Sequence, residues 1–173
     1  CMAQTISLFR IFSRQESVPE KTLIQLNQEL CLRDMDRFVT ALYCVIDQEK
    51  KMARVASAGQ GPLFIYRHEE KKLEEIYLAP HPPLGVMNDT IYDSKEFEID
   101  PQDKLFLFSD GVSETRNRDG KELGMEKIKE IILINAADSN KKILEHLTTM
   151  VVQYVGQADQ HDDMTIIIFS TKF

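Results

Sequence analysis

The sequence predicts an α+β domain in which helices are segregated from strands and cover mainly antiparallel sheets. Two amphipathic helical patterns open the chain, and a central stretch rich in β-branched and aromatic residues follows. Two more helical patterns then precede a closing strand. Short polar turns separate neighbouring strands, and such turns can join antiparallel strands but not parallel ones.

The first two predicted helices cover residues 3–14 and 17–31. Apolar side chains recur on one face of the first helix, at Leu8, Phe9, Ile11 and Phe12. Ser17 and Glu20 have the spacing of a capping box at the start of the second helix. Its apolar stripe is formed by Leu23, Leu26 and Leu30.

Six strand patterns occupy the middle of the chain, at residues 38–47, 52–59, 62–67, 72–78, 90–99 and 104–110. The polar turn QEKK joins the first two strands, and HEEKK joins the third and fourth, which predicts two hairpins. The segment AGQGP at 58–62 is either a plain hairpin turn or a tight loop near a site.

The last third of the chain returns to helical periodicity. A helix at 124–136 has one apolar side, formed by Met125, Ile128, Ile131 and Ile132. Ser139 is suited to cap the next helix, and Gly156 is suited to end it. The segment MTIIIFS, residues 164–170, is the closing strand.

Composition limits the classes of function. The chain has 173 residues, which fits one domain over 1–173, and its formal net charge is −7. An acidic chain without a Lys/Arg cluster is a poor ligand for nucleic acid, and no apolar run is long enough to cross a membrane. Cys1, Cys31 and Cys44 are widely spaced, which argues against a zinc site or disulfides and favours a cytoplasmic location.

Two acidic positions lie beside predicted strands. In LFLFSDGVSE, Asp110 ends an apolar strand, while Asp162 and Asp163 precede the closing strand. Antiparallel neighbours would bring these carboxylates to one rim of a sheet, where a cation would offset their repulsion. Mg²⁺ and Mn²⁺ prefer such oxygen ligands. The alternative is that Asp110 and Gly111 form an ordinary turn. Gly111 would allow that sharp turn, or would let the backbone approach the ion closely.

Four other polar residues have side chains that could take part in chemistry. His161 could shuttle protons or lie on the surface as an ordinary loop residue. Ser57 and Ser109 have no evident base partner, so a nucleophilic serine is unsupported. Thr165 could hydrogen-bond a ligating carboxylate or be a simple strand residue.

Several segments together resemble one known family. LFLFSDGVSETRNRDGKELG resembles the hallmark segment of SpoIIE/RsbU-type serine phosphatases, in the metal-dependent protein phosphatase (2C-like, PPM) superfamily. HDDMTIIIF resembles the last motif of that family. FVTALYCVID, VASAGQGPLFIYR and PPLGV precede the hallmark segment in the order typical of the family.

This resemblance implies a four-layer αββα sandwich with two Mn²⁺ or Mg²⁺ ions at one end of the sheets. A metal-activated water would hydrolyse phosphoserine or phosphothreonine, with Asp110 and Asp162 as catalytic metal ligands and Gly111 also at the metal site. Asp163 and Thr165 match positions that support the site. The implied substrate is a regulatory phosphoprotein, a STAS-domain anti-sigma-factor antagonist in bacterial partner switching.

The sequence departs from the family at two places. The early Asp and Gly-His-Gly turn that precede the first helix are missing, so we expect an N-terminally incomplete domain that is the C-terminal portion of a longer chain, with a sensor or regulatory domain upstream. An exposed strand edge could then pair two copies as a homodimer. Gln60 stands where the family usually has His. The alternative function is therefore a catalytically impaired module that binds a signalling partner.

Overall fold

The computed structural model of the chain describes residues 2–32, 38–156 and 162–171. It consists of two compact units, one formed by Cys1–Gly61 with Tyr77–Ile99 and the other by Pro62–Ile76 with Asp100–Phe173. Both units contain an antiparallel sheet and helices, which confirms the α+β class. The hypotheses about Cys1 and His161 concern residues outside the described part.

The first unit combines two helices with a three-stranded sheet. Its helices are α1 (Met2–Gln15) and α2 (Pro19–Leu32). Its strands are β1 (Ala41–Asp47), β2 (Met52–Ala58) and β5 (Ser94–Glu98), in the spatial order β1-β2-β5. All pairs are antiparallel, and the first predicted hairpin is confirmed by the β1–β2 register.

The buried face of α1 differs from the predicted stripe. Thr5 is buried, and Leu8, Phe9 and Phe12 pack against the core of the first unit. These four positions follow the i, i+3, i+4, i+7 pattern of one helical face. Ile11 lies to the side of that face and is 51% exposed, so its assignment to the stripe was wrong. In α2 the predicted Leu23, Leu26 and Leu30 are all buried.

The predicted capping box at the start of α2 is absent. Glu20 forms an ion pair with Arg54 of β2 instead of reaching back to Ser17. The backbone N–H of Val18 donates to the Glu16 carboxylate at 3.0 Å. The spacing of Ser17 and Glu20 suits a capping box, but the ion pair with Arg54 replaces the local contact between them.

The second unit combines a four-stranded sheet with three helices. Its strands are β3 (Leu63–Arg67), β4 (Lys72–Ile76), β6 (Lys104–Phe108) and β7 (Ile166–Ser170), in the spatial order β4-β3-β6-β7. Its helices are α3 (Asp110–Ser113), α4 (Met125–Asn135) and α5 (Asn140–Val155). The pairing is antiparallel throughout, and the predicted β3–β4 hairpin is confirmed.

One face of this second sheet packs against α4 and α5. Ile128 and Ile132 of α4 are fully buried, and Met125 and Ile131 pack at the margin of the same cluster, as the sequence predicted. Ser139 caps α5 by accepting a hydrogen bond from the Lys142 N–H, and Gly156 ends the helix with a positive φ of 59°.

Two local interpretations need correction. Strands β2 and β3 lie in different sheets, so residues 58–62 between them are a connection and cannot be a hairpin turn. The short helix α3 was not predicted, because four residues are too few to show helical periodicity.

Two of the three cysteines, Cys31 and Cys44, lie within the described residues. Cys31 and Cys44 are free thiols, and burial raises the pKa of Cys44 to about 11, which disfavours the thiolate needed for metal binding. Among the described residues, every helix is too short or too polar to cross a lipid bilayer.

Candidate functional site

The pairing of β6 with β7 brings the two predicted acidic segments to the same edge of the second unit's sheet. Phe108, the last residue of β6, pairs with Ile166, the first residue of β7. Because the strands are antiparallel, residues 109–111 leave the sheet beside residues 163–165. Two segments that are distant in the sequence therefore become neighbours, as the sequence predicted.

Ser109 fastens these two segments together. Its backbone N–H donates to the Thr165 carbonyl at 3.0 Å. Its hydroxyl accepts from the Thr165 N–H at 2.8 Å and donates to the Asp163 carbonyl at 3.2 Å. One side chain thus uses both its donor and an acceptor site to join the two segments.

Gly111 allows the segments to approach more closely than any other residue type would. A Cβ built on Gly111 would lie 2.5 Å from the Asp163 carbonyl oxygen and 3.4 Å from the Asp162 Cβ. Its φ is not in the left-handed region. The close contact is therefore with the backbone of the neighbouring segment, and the approach of the Gly111 backbone to an ion stays a prediction.

Asp110 opens a helical turn two residues beyond the end of β6. The backbone carbonyl of Asp110 accepts from the Glu114 N–H at 2.9 Å, and Val112 inserts into the core of the unit with no exposed surface. The Asp110 residue itself is exposed. A buried neighbour thus fixes the turn while the carboxylate remains accessible.

The second acidic segment is also exposed. Asp162 and Asp163 are both accessible, and the Asp162 carboxylate accepts a hydrogen bond from the Asp163 N–H at 2.7 Å. Thr165 contributes through its backbone, by the two bonds to Ser109. The alternative in which its hydroxyl bonds a ligating carboxylate stays a hypothesis.

A cavity of about 210 Å³ opens beside these acids, and Gly111, Glu114, Thr115, Arg116 and Asp162 line it. The Thr115 hydroxyl donates to the Gly111 carbonyl at 2.6 Å. This hydrogen bond joins two of the residues that line the cavity. Four of the five lining residues are polar or charged, so the cavity suits a small charged ligand better than an apolar one.

The donor chemistry of this edge suits a hard divalent cation. Asp110 and Asp162 offer carboxylate oxygens, and the contact at Gly111 leaves no room for a side chain between the segments. Among residues 2–32, 38–156 and 162–171, no group of three or more His, Cys, Asp or Glu residues is placed to hold a metal ion. The two aspartates fit Mn²⁺ or Mg²⁺ as part of a ligand set, since these ions also take waters and substrate oxygens.

Sequence reasoning missed several residues of this edge. Ser109 was considered only as a nucleophile, and Thr115 and Arg116 were not singled out. All three belong to the polar stretch that follows β6, but their contacts depend on partners elsewhere in the chain. The one local signal for Thr115 and Arg116 is the polar stretch itself, residues 113–119, which directly follows the Asp110 and Gly111 pair.

The family departure at Gln60 lies in the first unit. The Ser57 hydroxyl donates to the Gln60 carbonyl and accepts from the Gln60 N–H at 3.1 Å. The turn after β2 is therefore closed through the backbone of Gln60, and these two bonds do not depend on which side chain the position carries.

Comparisons with known proteins agree with this architecture. The family described as Stage II sporulation protein E (SpoIIE) matches residues 1–172. The chain is 28% identical over 141 residues to phosphoserine phosphatase RsbU of Bacillus subtilis, covering 80% of this chain and 41% of RsbU. It is 25% identical to protein IcfG of Synechocystis, covering 78% of this chain and 21% of IcfG. The chain thus spans less than half the length of either relative.

Solved structures show the same fold. The SiaA-PP2C domain of Pseudomonas aeruginosa superposes with a TM-score of 0.85 at 17% identity, covering 97% of this chain and 68% of that one. The PP2C phosphatase domain of SpoIIE from Bacillus subtilis, solved with a fragment of its regulatory domain, gives 0.77 at 21% identity, covering 96% and 48%. The chain belongs to the SpoIIE family, and its fold is that of a PP2C phosphatase domain.

Proposed function

We propose that this chain is a metal-dependent serine/threonine protein phosphatase domain that hydrolyses phosphoserine or phosphothreonine on a regulatory protein. The observation that carries the proposal is the clamp at the ends of β6 and β7, where Ser109 and Gly111 hold the Asp110 segment against the Asp162 segment. The Ser109 hydrogen bonds and the close contact at Gly111 hold the two segments together independently, which supports a role for their acids beyond turn formation.

The residues take separate roles in this proposal. Asp110 and Asp162 would hold Mn²⁺ or Mg²⁺, which when bound supplies an activated water and positive charge for phosphoryl oxygens. Asp163 supports Asp162 by donating its N–H to that carboxylate. Gly111 excludes a side chain from the gap, and Thr165 anchors the start of β7 to Ser109.

We extend the proposal to the substrate and its setting. The family resemblance favours a phosphorylated STAS-domain anti-sigma-factor antagonist, within cytoplasmic partner switching that controls a sigma factor. Similarity to RsbU, which is described as a phosphoserine phosphatase, supports a phosphoserine protein. A regulatory domain linked to this chain is proposed by analogy with SpoIIE, whose phosphatase domain was solved with a fragment of one.

The direct test is Mn²⁺-dependent release of phosphate from a phosphoserine STAS-domain protein. It uses the protein together with any natural sequence that precedes Cys1. Asp110→Asn should abolish release, because it removes a charged metal ligand, whereas Asp119→Asn changes another exposed acid of the same unit and should have no effect. Equal rates for the wild type and Asp110→Asn would refute the assignment of Asp110.

A measurement of substrate binding, made alongside the phosphate-release assay, separates the catalytic proposal from the alternative of a binding module. A module that binds a signalling partner would retain affinity for the phosphorylated protein, measured by calorimetry, without releasing phosphate at any Mn²⁺ concentration. That result would replace the enzymatic proposal, while leaving the fold and the family assignment intact.

A further inference from the structure

The cavity beside the acids contains a cation that the proposed metal chemistry does not use. Among the described residues that line it, Arg116 is the one positively charged side chain, and it stands with Asp162 and Glu114. A phosphate ester approaching this wall brings further negative charge, which the carboxylates repel. A positively charged group at the same wall would offset this repulsion.

Arg116 is carried by a rigid hairpin, residues 115–123. The hairpin is closed by a bridge between Arg116 and Glu122, and by hydrogen bonds from the Leu123 N–H to the Thr115 carbonyl at 2.8 Å and from the Asn117 N–H to the Lys121 carbonyl at 3.0 Å. These bonds fix the backbone on both sides of Arg116. Its position relative to the cavity is thus set by the fold.

Both arms of the hairpin are also attached to the body of the second unit. On the first arm, the Thr115 hydroxyl contacts the Gly111 carbonyl and the Met164 sulfur. On the second arm, Leu123 is buried and the Tyr154 hydroxyl of α5 donates to the carbonyls of Lys121 and Glu122, at 3.0 and 2.9 Å. Arg116 is therefore held beside the two segments that contain Asp110 and Asp162.

The ion pair of Arg116 orients the guanidinium and leaves other N–H donors of this group available. Arg116 Nη2 lies 2.8 Å from Glu122 Oε1, and both side chains are about half exposed, at 53% and 50%. Exposed pairs of this kind are weak. A guanidinium has five N–H donors in a planar fork that matches two phosphoryl oxygens, so donors remain available to a ligand.

We propose that Arg116 binds the phosphoryl oxygens of the substrate in this cavity, and that Glu122 is a positioning residue that holds the guanidinium. The inference rests on the proposed phosphatase function and deepens it, since it names the residue that recognises the phosphate. Arg116 thereby makes the cavity selective for a phosphomonoester over the unphosphorylated side chain.

The test compares Arg116→Met and Arg116→Lys with Arg118→Met, which removes a cation from the same hairpin but not from the cavity wall. With the phosphoserine protein as substrate, Arg116→Met should raise KM about 10- to 100-fold, because a charge-assisted hydrogen bond to phosphate is lost. Arg116→Lys should recover part of this loss, and Arg118→Met should change KM by less than about twofold. Equal effects of Arg116→Met and Arg118→Met would overturn the proposal in favour of general surface charge.

Glu122→Gln tests the positioning role. It should raise KM about 2- to 5-fold when Arg116 is present and have no effect in the Arg116→Met background, since the two residues act through one contact. Additive effects would contradict that role. The melting temperatures of all variants should stay close to the wild type, because both side chains are half exposed, whereas a purely structural role would lower them.

A binding measurement separates this inference from the proposed function. Inorganic phosphate is titrated into the Mn²⁺-loaded protein by calorimetry, and Mn²⁺ affinity is measured for the same variants. We expect phosphate affinity to fall about 10-fold or more in Arg116→Met while Mn²⁺ affinity is unchanged. If the wild type releases no phosphate but shows this pattern, the phosphatase proposal fails and the role of Arg116 stands. If the wild type does not bind phosphate, or Arg116→Met binds it equally well, the role of Arg116 is refuted whatever the activity.

Discussion

The two ends of strand β6 handle charge in opposite ways. At the beginning of the strand, Asp103 is only 2% exposed, and its carboxylate accepts from Arg67 at 2.9 Å and from the backbone N–H groups of His68 and Asp100. At the other end, the exposed Asp110 leaves the sheet beside the exposed Asp162. A buried carboxylate is neutralised within the unit, whereas the exposed ones are left accessible to a ligand.

Lys104 reinforces the first of these ends. Its ammonium group donates to the carbonyls of Ala136 and Asp138, both at 2.6 Å, and so ties β6 to the connection between α4 and α5. Burial lowers the pKa of Lys104, and the nearby Asp138 opposes that effect. One end of β6 is thus fixed within the unit, and under the proposed function the other end serves chemistry, so substitutions at the two ends should separate these properties.

The largest expected effect is on activity at the exposed end. Asp162→Asn should lower phosphate release about 1,000-fold, because a metal ligand contributes several kcal/mol to the transition state. Asp163→Asn should leave it within about twofold of the wild type, since Asp163 supports Asp162 through its backbone N–H, which the substitution keeps. Urea unfolding should change by less than about 0.5 kcal/mol in both variants, because the residues are exposed. Equal losses of activity would show that the two roles are wrongly divided.

The next effect is on stability at the buried end. Asp103→Ala should reduce the free energy of unfolding by about 3 kcal/mol, because it removes the buried carboxylate that accepts from Arg67 and from two backbone N–H groups. Glu74→Ala removes the more exposed partner of Arg67 and should cost less than about 1 kcal/mol. Activity per folded molecule should be unchanged in both variants. A strong loss of activity in folded Asp103→Ala would break the separation between the two ends.

A glycine substitution should affect both properties at the exposed end. Gly111→Ala forces its Cβ against the Asp163 carbonyl, so we expect about 1–3 kcal/mol of destabilisation together with reduced phosphate release. Gly61→Ala is the control, because a Cβ added there has nothing within 4 Å. Urea unfolding and a phosphate-release assay check both variants. Wild-type behaviour of Gly111→Ala would mean that the approach of the two segments is not needed.

The smallest effect is expected at Lys104. Lys104→Met should cost about 1–2 kcal/mol, because the carbonyls of Ala136 and Asp138 lose their shared donor. Lys129→Met, which removes an ammonium paired with the exposed Glu126, should stay within about 0.5 kcal/mol of the wild type. Thermal unfolding measures both variants. A larger loss from Lys129→Met than from Lys104→Met would contradict the role of Lys104 as an anchor.

Much of the local structure could be predicted because burial leaves a periodic trace. The strands β1 to β4, which were predicted from their β-branched and aromatic residues, and the stripes of α2 and α4 match the structure, as do the serine cap and the glycine end of α5. Signals that involve a single residue were less reliable. The position of Glu20 predicts a capping residue, but Glu20 pairs with Arg54 of β2 instead. Asn27 of α2 is fully buried because its amide oxygen accepts from the Gly85 N–H and its amide nitrogen donates to the Met87 carbonyl.

By itself, the sequence determined the class of fold, the order of the elements and the acids worth attention, since these follow from side-chain periodicity and from motifs that are contiguous in the chain. The tertiary structure decided which strands share a sheet, why Gly111 has no side chain and which cation stands beside the acids. Those features depend on contacts between segments distant in sequence, and such contacts leave no periodic trace in either segment alone.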